Sequence, residues 1–73
     1  MTKLDLFGCR IDDIHNIVDE FIYENIKLQK KELEILTRTN KLQIKEIIKE
    51  ILLNYGLEYK ECCYNPSLLK ISI

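Results

Sequence analysis

Residues 4–27 read Leu4-Asp5-Leu6-Phe7-Gly8-Cys9-Arg10-Ile11-Asp12-Asp13-Ile14-His15-Asn16-Ile17-Val18-Asp19-Glu20-Phe21-Ile22-Tyr23-Glu24-Asn25-Ile26-Lys27, and their hydrophobic period changes once. Leu4 to Phe7 has the form of a short strand, and Gly8 breaks it where a tight strand-to-helix turn belongs. From Ile11 the period is helical. Ile14, Ile17, Val18, Phe21, Ile22 and Ile26 recur at intervals of three and four. Asp12 and Asp13 fall in the first turn, where negative charge complements the helix N-terminus. The stretch predicts a strand, a glycine turn and an amphipathic helix from Ile11 to Lys27.

Working outward, Lys30-Lys31-Glu32 is a polar break before a second strand, Leu33 to Thr37, which is β-branched at Ile35 and Thr37. Thr39 and Asn40 are good helix-capping residues. The helix after them carries Ile44, Ile47, Ile48, Ile51, Leu52 and Tyr55 as its apolar stripe, with Lys41, Lys45 and Lys49 on the polar side. Asn54-Tyr55-Gly56 supplies a left-handed stop. The remainder reads as a hairpin. Leu57, Tyr59, Glu61 and Cys63 alternate with polar neighbours, Asn65-Pro66-Ser67 turns the chain, and Leu69, Ile71 and Ile73 alternate again. Two helices between strands call for right-handed crossovers and three roughly parallel strands, with the last strand antiparallel. The expected fold is a two-layer α/β domain, β-α-β-α-β-β, with both helices on one face of a four-stranded mixed sheet.

The 73 residues suffice for one domain, spanning 1–73, and at 47% hydrophobic and 32% charged they are too apolar for disorder. No apolar run is long enough to cross a membrane. The charged start, Met1-Thr2-Lys3-Leu4-Asp5, is unlike an export signal. Three cysteines, an odd number, give no disulfide framework, so a reducing cytoplasm is expected. The initial Met1 and compact ending fit a free-standing protein, with a domain excised from a longer chain as the alternative the sequence leaves open. A net charge of −1 excludes a strongly basic, dedicated nucleic-acid binder, so any such role rests on a local patch.

Laid out this way, the chain resembles an Smr (small MutS-related) domain over nearly its whole length. That family opens with LDLHG or LDLRG, and Leu4-Asp5-Leu6-Phe7-Gly8 matches it. Its second strand runs into an HGxGxG loop, which falls here on Thr37-Arg38-Thr39-Asn40-Lys41-Leu42. The resemblance implies a fold similar to the C-terminal domain of translation initiation factor three. It also implies an association with branched or structured DNA or RNA, which the family nicks, cleaves or binds. The departures bear on chemistry. Phe7 and Thr37 stand where the family has histidines, and Arg38, Asn40 and Leu42 replace the loop glycines. Both acid-base candidates are thereby lost, which favours binding over hydrolysis.

Asp5 is the tentative catalytic carboxylate, with helix capping or pairing to a cation as its structural alternative. A lone carboxylate does not clamp a divalent metal for phosphodiester cleavage, so no cofactor is expected unless the chain is an endonuclease. Phe7 is placed to stack on a base or to pack. Gly8, Thr37, Arg38, Thr39, Asn40, Lys41 and Lys45 complete the candidate nucleic-acid site: hydroxyls, an amide and cations beside the free N–H groups of a helix start. Lys30 and Lys31 lie at the far end of the second strand and are excluded. His15 has no catalytic neighbours, and Cys9, Cys62 and Cys63 lack metal-ligand spacing. Two alternatives accompany the binding reading. One is a divergent endonuclease using Asp5, with Arg38 stabilising phosphate charge. The other is a protein-interaction module that self-associates through the hairpin edge, where Tyr59, Cys63 and Tyr64 lie beside a bare last strand.

Overall fold

In a computed structural model describing residues 2–38, 42–62 and 65–73, without the side chains of residues 65 and 66, the period change at Gly8 marks a strand-to-helix turn. Strand β1 (Lys3–Asp5) leads through it into helix α1 (Ile11–Lys27). Strand β2 (Glu32–Leu36), helix α2 (Leu42–Tyr55), strand β3 (Glu58–Cys62) and strand β4 (Asn65–Ser72) follow. Each helix buries the stripe its spacing calls for: Ile14, Val18, Phe21 and Ile22 on α1, and Ile44, Ile48, Ile51 and Leu52 on α2. Asn25 is the polar residue buried among them.

The four strands form one mixed sheet in the order β1-β2-β4-β3. β1 and β2 pair in parallel, while β4 is antiparallel to both of its neighbours. Strands β1, β2 and β3 therefore run the same way, with β4 reversed between two of them. Leu33 and Ile35 face Ile71 and Leu69 across the β2–β4 ladder, and all four are buried against the two helices. The α/β two-layer architecture read from the sequence is the one observed.

Two expectations about the hairpin are corrected. Residues 65–67 do not turn the chain but begin β4. The Thr37 N–H and hydroxyl both donate to the Ser67 carbonyl, at 2.7 and 3.1 Å, which draws this segment into the sheet. The last strand is also not a bare edge, because β4 lies between β2 and β3, and the open edges are β1 and β3. Of the residues invoked for that edge, Tyr59 lies on β3 with the Lys49 ammonium 5.9 Å from its ring centre, and Cys63 and Tyr64 lie outside the described residues.

Both helices end in the same way. Gln29, with φ 59°, and Gly56, with φ 70°, take the left-handed conformation just past α1 and α2. Beyond α1, Gln29 N–H donates to Ile26 and Lys30 N–H to Asn25. Beyond α2, Gly56 N–H donates to Leu53 and Leu57 N–H to Leu52. Both are Schellman stops, which satisfy carbonyls the helix leaves open. A hydrogen bond of 2.9 Å from the Tyr55 hydroxyl to Asp19 Oδ1 ties the two helices together. Burial, then that hydrogen bond, raises the Tyr55 phenol above its ordinary range. Among the described residues no helix is long and apolar enough to cross a membrane.

Candidate nucleic-acid interface

Parallel pairing of β1 and β2 places the carboxyl ends of both strands at the same end of the sheet. In open α/β sheets that end is where ligands sit. Phe7, Gly8, Thr37 and Arg38 meet there around a shallow cleft of about 220 Å³. Leu6, Cys9, Ile11, Ile14 and Ile44 form its apolar lining. The sequence reading did not assign those five to the site, although Leu6, Ile14 and Ile44 are legible as inward-facing positions.

Each polar residue of the cleft is held by its neighbours. Asp5 accepts the Phe7 N–H on Oδ1 at 3.0 Å, a turn of the kind short polar side chains form with the backbone two residues on. The same carboxylate takes a bidentate pair from Arg38, Nε to Oδ1 at 3.0 Å and one terminal nitrogen to Oδ2 at 2.8 Å. The Arg38 hydrogen bond, the Phe7 N–H and the guanidinium charge hold the Asp5 carboxyl below the usual aspartate range, and Asp5 pushes Arg38 further up. Asp5 is thus the partner of a cation rather than a helix cap.

Arg38 has φ 61°, a conformation that a side chain other than glycine rarely adopts. The two bonds to Asp5 offset that strain. They also use two of the five guanidinium N–H donors and, among the described residues, leave three. Phe7 stands on the rim, 79% exposed, beside Gly8 at φ 76°. Thr37 is buried and spends its hydroxyl on the Ser67 carbonyl.

The other expected site residues are not gathered here. Lys45 is half-buried on α2 and does not line the cleft. Thr39, Asn40 and Lys41 lie outside the described residues. His15 is exposed on α1, and Cys9 and Cys62 are half-buried free thiols. Among the described residues no group of three or more His, Cys, Asp and Glu is placed to hold a metal ion. Among the described residues, the open face of the sheet offers no continuous cationic surface. Its row Lys3, Glu34, Lys70, Lys60 is interrupted by Glu34, which pairs with Lys3 at 3.5 Å.

Comparison with family models, curated proteins and solved structures finds no match to this chain.

Proposed function

We propose that this chain is a small nucleic-acid-binding domain of the Smr kind that holds DNA or RNA without cutting it. The observation that carries the reading is the pairing, on one cleft, of an exposed Phe7 with the Asp5-clamped Arg38. A base stacks on the Phe7 ring, and the three remaining Arg38 donors meet the adjoining phosphate or base edge. Asp5, engaged on both oxygens, is the positioning residue for Arg38. Arg38 also supports the resemblance itself, because its positive φ falls at a position where the Smr pattern has glycine. The element order β-α-β-α-β-β supports the expectation of a fold like that of the C-terminal domain of translation initiation factor three.

Because Asp5 neutralises the clamped cation, binding leans on stacking and shape more than on net charge. Fluorescence-anisotropy titrations with single-stranded, hairpin and four-way-junction DNA and RNA test this at two salt concentrations. We expect a shallow dependence, with log K falling against log salt at a slope no steeper than about −1. Phe7→Ala weakens binding by about fivefold to more than a hundredfold, the range expected for one lost base stack. Binding indifferent to Phe7→Ala, or none at all, overturns the proposal. Incubation of supercoiled plasmid and labelled RNA with Mg²⁺ or Mn²⁺ runs beside it. Cleavage abolished by Asp5→Asn would replace binding with the endonuclease reading.

A further inference from the structure

At the opposite end of α1 from the cleft, and sharing no lining residue with it, a groove of about 370 Å³ runs between the helix and β1. Its walls are apolar: Leu4 from the strand, and Ile17, Phe21 and Leu28 from α1 and its end. Leu28 is 60% exposed. Asn25, only 2% exposed, lines the groove at a position where the helical stripe calls for an apolar residue. Its Nδ2 donates to the Phe21 carbonyl at 2.8 Å, but its buried Oδ1 accepts from nothing among the described residues. An orphaned buried acceptor is costly and calls for an explanation. Glu20 and Glu24, one turn apart, complete the lining, and neither is ion-paired among the described residues. The charge this groove presents is that of the two glutamates, because the unpartnered Asn25 Oδ1 is itself closed off from solvent.

The strand beside it is an open sheet edge. Thr2 O accepts from Glu34 N–H, and Leu6 N–H donates to Leu36 O. By the alternation of a parallel ladder, the N–H and C=O groups of Lys3 and Asp5 therefore point away from β2. We propose that an extended peptide from a protein partner adds to β1 as a fifth strand and lays one lysine or arginine side chain in the groove. Only these side chains join a long aliphatic stem, which suits Leu4, Ile17, Phe21 and Leu28, to a cationic donor tip for the two glutamates. The main chain supplies pairing and the groove supplies the choice of side chain, as in other strand-addition complexes.

The test uses amide NMR on the intact chain with a short peptide of alternating threonine and valine carrying one central lysine. Control peptides replace the lysine by norleucine, which keeps the stem and removes the ammonium, or methylate the backbone nitrogens that would face β1. The lysine peptide is expected to shift the Lys3 and Asp5 amides and the Asn25 side-chain amide. Norleucine binds about tenfold more weakly or worse, the loss expected for one charge-assisted hydrogen bond. Glu20→Gln with Glu24→Gln lowers affinity for the lysine peptide to the norleucine level, and the melting temperature does not fall because both side chains are exposed and in no ion pair among the described residues. Equal binding of the lysine and norleucine peptides, indifference to methylation, or shifts elsewhere overturns the proposal. So does the absence of shifts at about millimolar peptide, the weakest affinity worth calling binding.

Discussion

Asp5 and Arg38 are 33 residues apart in the chain, and their bidentate contact organises the cleft. Position alone told little: a carboxylate at a strand end is equally suited to metal binding, helix capping or ion pairing, and only the parallel β1–β2 register brings the guanidinium to it. The pairing carries a pH prediction. The folded Asp5 carboxyl is held below its ordinary value of about 3.9, so its contribution to stability is complete above that pH. It fades as pH falls through the lowered folded value, where the carboxylate takes up its proton. Wild type should therefore differ most from Asp5→Asn in thermal stability above about pH 4.5, and the two should converge below the folded value. Carbon-detected titration of the Asp5 carboxyl checks the cause. Its midpoint should lie below the ordinary value and rise towards it in Arg38→Gln. A midpoint that Arg38→Gln leaves in place would show that the pair does not hold Asp5 down. Asn25 marks where residue-level reading stops: the stripe turns it inward, but nothing in its local sequence shows that its Oδ1 finds no donor among the described residues.

Among the elements, the helices were the most legible. α1 spans Ile11–Lys27 because seventeen residues sustain one apolar stripe, and such a stripe has only one way to be buried. The stop of α2 was legible at Gly56, whereas that of α1 was not, since glutamine carries no preference for positive φ. That contrast yields a paired prediction. Gln29 at φ 59° bears the Cβ penalty that Gly56 at φ 70° avoids. Gln29→Gly should thus raise stability, and Gly56→Ala should lower it, each by about 0.5–1 kcal/mol. Neither change meets a packing obstacle that would obscure this: nothing lies within 4 Å of a Cβ built on Gly56, and Gln29 is exposed. Urea unfolding of the two variants decides, and equal effects of the same sign would mean that the left-handed stops do not govern these ends. The hairpin was read least well, because Asn-Pro-Ser is strong turn chemistry. In the folded chain the Thr37–Ser67 bonds add residues 65–67 to a sheet instead, and pairing across 30 residues leaves no local trace.

For the molecule as a whole, strand order determines which side chains matter most. A Cα radius of gyration of 11.1 Å is what a chain of this length should reach when fully packed, about 11.2 Å. Packing at this size still leaves little reserve, since total stability for such a domain is about 4–11 kcal/mol. The core is concentrated where β2 and β4, the two inner strands, meet the helices. Ile35 is its centre. It is fully buried, faces Leu69 on β4, and on its other side lies beside Leu4 on β1, so it sits between the inner rows of two neighbouring strands. Truncation to Ile35→Ala removes that packing and leaves a cavity the surrounding sheet cannot close, at a cost of about 2–5 kcal/mol. Set against the total, such a loss should shift the urea midpoint by a large fraction of its value and leave a measurable unfolded population without denaturant. Leu4→Ala, on the edge strand and only partly buried, should cost clearly less, and Leu53→Ala, 78% exposed on α2, almost nothing. The ranking Ile35, Leu4, Leu53 follows from β2 being internal and β1 being an edge. If Leu4→Ala cost as much as Ile35→Ala, β1 would have to be covered on both sides in solution, and the edge that the peptide is proposed to join would already be occupied.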